Sequence, residues 1–323
     1  MGSRRRQANA KTGVLEIDKP PGWTSHDVVA RVRRIFGQRE VGHTGTLDPM
    51  ATGILVLTLG RATRISRFIE ATDKTYEGVV ALGSSTTTWD AEGEVVDRAP
   101  VPSLIVDEIE AVAARFRGDI EQEVPAFSAV KVDGERLYAR ARRGDAVVSP
   151  RRTVRIESFD VTDFDGERVS FRTRVSKGTY VRSLAVQFGE ALSLPAHLGG
   201  LRRTAVGART VDSARSLETL EGLEEELSSM TDALAHLPRL VLGDRALWEV
   251  AHGRALTGEH VDQAALSPST TRGSFLALTG ADGVLAAVGM ASFDAEEAAR
   301  QPRTAELIRY ACVLVQPEGL RGS

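Results

Sequence analysis

Residues 42 to 53 read Gly-His-Thr-Gly-Thr-Leu-Asp-Pro-Met-Ala-Thr-Gly and run directly into Ile54-Leu55-Val56-Leu57. The apolar run reads as a buried strand. The stretch before it is polar, rich in Gly and Thr, and holds one carboxylate, Asp48, at its centre. Small residues let a ligand approach the backbone closely, and loops on a rigid scaffold often carry function. A plainer reading is also open, because Asp-Pro favours turn initiation and Asp-containing turns are common.

Elsewhere the chain alternates strands and helices without a regular βαβ beat. Val14 to Ile17 reads as a strand, Ser25 to Phe36 as a helix with Ser25 as N-cap, and Ala62 to Ile69 as a second helix. Tyr76 to Leu82 reads as a strand and Ile105 to Phe116 as an amphipathic helix. Val154 to Thr162 and Arg168 to Val175 alternate like a hairpin turning at Asp165-Gly166, and Thr179 to Leu192 reads as a helix. Residues 216 to 235 are acidic and helical in pattern. Beyond Leu237-Pro238 come a hairpin, Phe275 to Leu278 with Val284 to Val288, a Ser/Thr-rich loop at Leu266 to Gly273, and a last strand, Leu307 to Val315. Strands grouped in pairs between helices predict an α+β fold with a mixed, largely antiparallel sheet.

A chain of 323 residues is long enough for one large domain or two with a proper core. Its apolar runs are far too short for a membrane span. Residues 1 to 12 carry Arg4-Arg5-Arg6 without an apolar h-region, so they read as a disordered basic arm rather than a secretory signal. The single cysteine, Cys312, lies in an apolar stretch and reads as core packing; an internal disulfide is excluded. Scattered histidines suggest no metal site. Net charge is −3, but the first 210 residues carry +5 and the rest −8. Between Arg136 and Arg155, the stretch that also holds Arg140, Arg142, Arg143, Arg151 and Arg152, the one acid is Asp145. Such a patch suits phosphates, or it is a solvated face.

The 42 to 53 segment resembles the signature loop of the pseudouridine synthases, in their bacterial tRNA pseudouridine-55 synthase form. Four other blocks carry the same resemblance in order. Leu15 to Ser25 (Leu-Glu-Ile-Asp-Lys-Pro-Pro-Gly-Trp-Thr-Ser) is similar to the opening motif, and Asp73-Lys74-Thr75-Tyr76 to the tyrosine motif. Ser128 to Lys131 with Gly134, Arg136 and Tyr138 is similar to the insertion loop. Ser176 to Arg182 is similar to the basic motif, with Leu201-Arg202-Arg203-Thr204 following at a family-like interval. The blocks span roughly residues 12 to 210. Val124-Pro125 departs from the family's usual pair of prolines.

The resemblance implies a catalytic domain over 13–238 with an inserted RNA-binding arm near 124–152, a small β-rich PUA-like domain over 239–316, and a tail over 317–323. It implies uridine-to-pseudouridine isomerisation at position 55 in the T loop of tRNA, by a cytoplasmic, monomeric enzyme that needs no cofactor, no metal and no guide RNA. Asp48 would be the catalytic carboxylate, Arg182 its cation and Tyr76 the ring stacked on the target base. Tyr180 and Leu201 would be pocket wall, and Lys19 a brace near Asp48. His43 would fill the place of the flipped base, with Lys131, Arg142 and Arg143 on the arm. Plain alternatives stand beside these roles: strand packing for Tyr76, a structural ion pair for Arg182, an ordinary surface residue for His43. Two other functions compete, a non-catalytic RNA-binding or RNA-folding protein and a guide-dependent synthase. A glycoside hydrolase would need a second carboxylate, and no other acid lies in a comparable motif.

Overall fold

The computed structural model describes residues 10–128, 130–132, 134–143, 145, 149–220, 227–262 and 265–317. In chain order the first elements are β1 (Gly13–Lys19), α1 (Ser25–Ile35), β2 (Val41–His43), β3 (Thr52–Leu59), α2 (Ser66–Glu70), β4 (Lys74–Leu82), β5 (Ser84–Thr86), β6 (Val95–Arg98) and α3 (Val106–Ala114). Then come β7 (Gly118–Glu123), β8 (Lys131–Val132), β9 (Glu135–Arg136), α4 (Leu137–Arg142), β10 (Arg151–Phe164), β11 (Arg168–Val175), α5 (Val181–Ala191), β12 (Ala196–Val206) and β13 (Arg209–Thr210). The last are α6 (Met230–Ala233), β14 (Arg239–Val241), α7 (Asp244–Ala251), β15 (Leu256–Thr257), β16 (Phe275–Thr279), β17 (Leu285–Ala291), α8 (Ala295–Ala298) and β18 (Glu306–Val313).

The large sheet runs β1-β3-β12-β4-β11-β10-β7, with β2 on β3 and β13 on β12. Every pairing in it is antiparallel except β3 with β12. The smaller sheet runs β14-β16-β17-β18-β15 and is likewise mixed. The fold is therefore α+β with mixed, largely antiparallel sheets. β3 explains its own apolar sequence. Leu55, Leu57 and Leu59 feed the core under α1, α3 and α5, while Ile54 and Val56 feed a second core on the opposite face. A strand covered on both faces reads as a continuous apolar run rather than an alternating one. That second core joins α2 to Ala277, Leu285, Val288 and Leu314 of the C-terminal part. Cys312 packs at its margin, half-buried, and burial pushes its thiol up.

Several expectations are corrected. α1 is capped by Thr24, not Ser25. The Thr24 hydroxyl accepts from Asp27 N–H, and the Asp27 carboxylate accepts from Thr24 N–H, a closed capping box. The helix expected over Ala62 to Ile69 is split into a 3-10 turn, Gly60–Ile65, followed by α2. Thr63 and Ser66 hydroxyls donate to the carbonyls three residues back, and such local bonds compete with regular helix. The stretch 216–235 holds only a 3-10 turn, Glu218–Leu220, and the short α6 among its described residues; 221–226 lie outside them. Residues 1–9 of the expected basic arm and 318–323 of the expected tail also lie outside.

Candidate active site

The opening motif and the signature loop are one mechanical unit. Lys19 ends β1 with no exposed surface, and its ammonium donates to three carbonyls: Pro20 at 3.0 Å, Trp23 at 2.6 Å and Pro49 at 3.1 Å. Gly22 N–H also donates to Pro49 O, at 2.9 Å. Ser25, released from capping, accepts from Leu47 N–H at 2.9 Å and donates to Leu47 O at 3.1 Å. Both neighbours of Asp48 are thus pinned from one side. Arg203 of β12 pins the rest of the loop. It is 1% exposed, and its guanidinium donates to the carbonyls of Ile54 (2.8 Å), Gly45 (3.2 Å) and Thr46 (3.5 Å).

Asp48 keeps 36% of its side-chain surface open and faces Arg182, which is 5% exposed near the start of α5. Arg182 Nε lies 3.0 Å from Oδ2, off hydrogen-bond alignment, and Nη2 donates to Oδ1 at 3.3 Å. The guanidinium is itself aimed by three further contacts. Nη1 donates to Thr88 O at 3.0 Å and lies 3.5 Å from the Asp90 carboxylate, and Nη2 donates to Phe127 O at 2.9 Å. Asp90 is held in turn by the Thr88 hydroxyl at 2.5 Å and Glu92 N–H at 3.1 Å. Burial pushes the Asp48 carboxyl above its ordinary range and Asp90 adds to this, while Arg182 and Lys19 pull it back. Burial also brings the Lys19 ammonium down to about 8.

Tyr76, 8% exposed on β4, stands opposite Arg203 across the sheet. Leu201 stands opposite Gly78 two residues along and packs on the main core. Tyr180 immediately precedes α5 with the Arg152 guanidinium over its ring at 5.3 Å. His43 ends β2 with its ring edge-on to His26 at 5.5 Å and a buried Nδ1 that has no protein partner. Burial lowers its imidazole below the usual range, and His26 and Arg203 add to this. Lys131 pairs with Arg136 across β8 and β9, and its side chain lies outside what the structure describes.

The arginine patch is less cationic than its sequence suggested. Arg143 is engaged by Glu135 at 2.5 Å and Asp145 at 2.8 Å, and Arg155 by Glu157 at 2.7 Å and Asp119 at 3.3 Å. Asp119 is the cross-strand partner of Arg155, and Glu157 shares its strand face two residues on. Sequence distance hid the first, whereas strand period makes the second legible. Arg142 lies 5.7 Å over the Tyr138 ring, one helical turn back on α4.

Asp90 was missed altogether, and it is the second carboxylate that sequence reading did not find. Its loop, Thr86-Thr87-Thr88-Trp89-Asp90, carries no spacing signal toward Asp48. Arg203 stood in a quoted block but without a role. Among the described residues no cluster of His, Cys, Asp and Glu could hold a metal ion.

The centre is thus a mixed sheet crossed by a pinned carboxylate loop, with a buried arginine aimed at the carboxylate. The profile described as TruB family pseudouridylate synthase (N terminal domain) matches residues 33–181. A tRNA pseudouridine synthase B of Bacillus cereus (strain ATCC 10987 / NRS 248) is 45% identical over 260 residues, covering 76% of this chain and 85% of that protein. One from Geobacillus kaustophilus (strain HTA426) is 47% identical over 257 residues, covering 76% and 90%. Among solved structures, a chain from a Cbf5-Nop10-Gar1 complex is similar with a TM-score of 0.76 and 27% identity, over 95% of this chain and 86% of that one. Another, from an archaeal box H/ACA sRNP Nop10-Cbf5 complex, gives 0.75 and 26%, over 99% and 92%. The chain belongs to the TruB family of pseudouridylate synthases.

Proposed function

We propose that this chain isomerises uridine to pseudouridine in tRNA, at position 55 of the T loop, with Asp48 as the catalytic carboxylate. The observation that carries the reading is the Asp48–Arg182 pair, held from both sides and left partly open to a substrate. The tRNA substrate is supported by the similarity to tRNA pseudouridine synthase B from several bacteria. The reaction breaks the N1–C1′ bond, turns the uracil and joins C5 to C1′, so it is redox-neutral. A carboxylate at the sugar serves either as nucleophile on C1′ or as base toward the C2′ proton, and both routes need it ionised. Arg182 supports that form against burial. Tyr76 offers a flat ring to the base, with Tyr180 and Leu201 as further wall, and Lys19 braces the loop through Pro49.

The base must leave the RNA stack, at a cost of a few kcal/mol. His43 is assigned to the vacated place on the resemblance of its loop to the family's signature. Splayed loop bases are what sequence-specific RNA recognition favours. We assign residues 13–238 to the catalytic domain, with the arm at 124–152 closing over the RNA through Lys131, Arg142 and Arg143. The PUA-like unit is assigned to 239–316. We assign the enzyme to work as a monomer without guide RNA, in the cytoplasm with its substrate. A glycoside hydrolase is disfavoured because the oxygens of Asp90 are taken up by Thr88, Glu92 N–H and Arg182.

Tritium release from tRNA labelled at uracil C5 tests the proposal, since label is lost only when C5 is bonded to C1′. Release is expected from the wild-type protein without added cofactor, and none from Asp48→Asn at undiminished tRNA affinity. Tight tRNA binding without release would point instead to an RNA-folding protein on this scaffold.

A further inference from the structure

Gln122 lies on β7 with no exposed surface, and its side chain turns away from its own sheet partners toward the start of α5. Tyr180 N–H donates to Gln122 Oε1 at 3.0 Å, and Gln122 Nε2 donates to Tyr180 O at 3.3 Å. The first N–H groups of a helix have no partner within it, and α5 has no side-chain cap of its own. The neighbours of Gln122 extend the same clamp. Ser183 Oγ donates to Glu123 O at 2.7 Å, and Gln187 Nε2 to Glu121 O at 2.8 Å. Three successive residues of β7 therefore hold the first two turns of α5. Across β10, Arg152 is the register partner of Gln122 and covers the Tyr180 ring.

These contacts sit where the inserted arm leaves and re-enters the sheet. Val124 N–H donates to Pro150 O at 3.0 Å and closes the arm's base. Inside the arm, Phe127 O accepts from Arg182 Nη2. Arg182 follows Tyr180 by two residues, so any displacement of the Tyr180 backbone moves the guanidinium relative to Asp48. An amide supplies a donor and an acceptor from one planar tip; a carboxylate supplies acceptors alone and a thioether neither strong donor nor acceptor.

We infer that Gln122 is a positioning residue, which fixes the start of α5 against the roots of the arm and thereby sets the aim of Arg182 on Asp48. This rests on the reading of Asp48 as the catalytic carboxylate. Gln122 touches neither Asp48 nor Arg182 in any contact above, so its effect passes through the Tyr180 backbone.

The test compares wild type, Gln122→Met, Gln122→Glu and Asp48→Asn in single-turnover tritium release at saturating tRNA. Rates are expected to fall about ten- to a hundredfold in both Gln122 variants, as for a catalytic group displaced by a fraction of an ångström to an ångström. The tRNA dissociation constant should stay within about twofold. The acid limb of the rate should also move to higher pH. The charged groups around Asp48 are Arg182, Lys19, Asp90 and Glu92, and loosening Arg182 removes the strongest of those that favour the carboxylate. A purely structural role would leave that limb in place, with rate falling in step with melting temperature and tRNA affinity; that result overturns the inference, as do wild-type rates in both variants. If Gln122→Met does not fold, Gln122→Glu decides alone, because it keeps the acceptor for Tyr180 N–H and loses only the donor. Turnover by Asp48→Asn would instead remove the reading on which the inference stands, whereas an inactive Asp48→Asn beside unaffected Gln122 variants overturns the inference only.

Discussion

At Asp48 two opposing fields meet. Burial and the Asp90 carboxylate favour the protonated acid, and Arg182 with Lys19 favours the anion. The balance lies upward, so the rate of a reaction that needs the anion should fall off as pH drops through a range above the ordinary aspartate value of about 3.9. Asp90 has two effects that separate cleanly. Its charge raises Asp48, while its contact with Arg182 Nη1 helps aim the guanidinium. Asp90→Asn is therefore expected to lower the plateau rate yet shift the acid limb to lower pH, measured by single-turnover release across pH. A limb that stays put or rises would mean that Asp90 acts on Asp48 only through the guanidinium's geometry. The sequence made Asp48 and Arg182 legible because each lies in a dense, ordered motif. Asp90 was illegible because its partnership is a through-space one that periodicity never reports: Arg182 bridges Asp48, 134 residues away on one loop, and Asp90, 92 residues away on another.

The elements show the same division between what is local and what is not. Strands and helices with a strong period were legible to within a few residues, as with β4, β11 and α5. Elements decided by side-chain bonds to nearby backbone were misread, as with the cap of α1 and the 3-10 turn before α2. The glycine at the start of β3 belongs to neither class. Gly53 has φ of +100°, and a Cβ there would stand 2.2 Å from Arg203 O and 2.8 Å from Arg203 N. The obstacle is backbone of β12, which cannot rotate away. Gly53 is also the register partner of Arg203 in the one parallel pairing of the large sheet, next to where Arg203 Nε holds Ile54 O. Gly53→Ala should therefore cost about 1–3 kcal/mol from the backbone conformation alone, with the clash in addition. Because β3 and β12 must part to admit the methyl group, release of the Asp48 loop from Arg203 should abolish most turnover even in the folded fraction. Denaturant unfolding followed by single-turnover release checks both; a Gly53→Ala protein of full activity would show that the Arg203 clamp does not set the loop.

Across the whole molecule the decisive fact is that the two sheets, besides the core each has of its own, share a third cluster. Phe68 of α2, 2% exposed, packs edge-on against Phe275 of β16 at 4.9 Å, and it shares a cluster with Val14, Ile54 and Val56 on one side and Ala277, Leu285, Val288 and Leu314 on the other. Arg67 lies over the Phe68 ring at 4.6 Å and donates to Ala311 O, tying α2 to β18 as well. The change in composition near Leu237-Pro238 was visible in sequence, but not this sharing, since nothing in an apolar residue says which sheet it meets. The back of β3 is covered by α2 and the C-terminal strands together, so removing either exposes Val56 and Ile54, the residue whose carbonyl Arg203 holds at the end of the Asp48 loop. Unfolding of the full chain should accordingly be a single cooperative transition in calorimetry. Phe68→Ala should lower that one transition by several degrees, since emptying such a site costs about 3–5 kcal/mol. Two transitions in the wild-type protein, with only one of them moved by Phe68→Ala, would mean that each sheet folds on its own and that the shared cluster is a contact rather than a core.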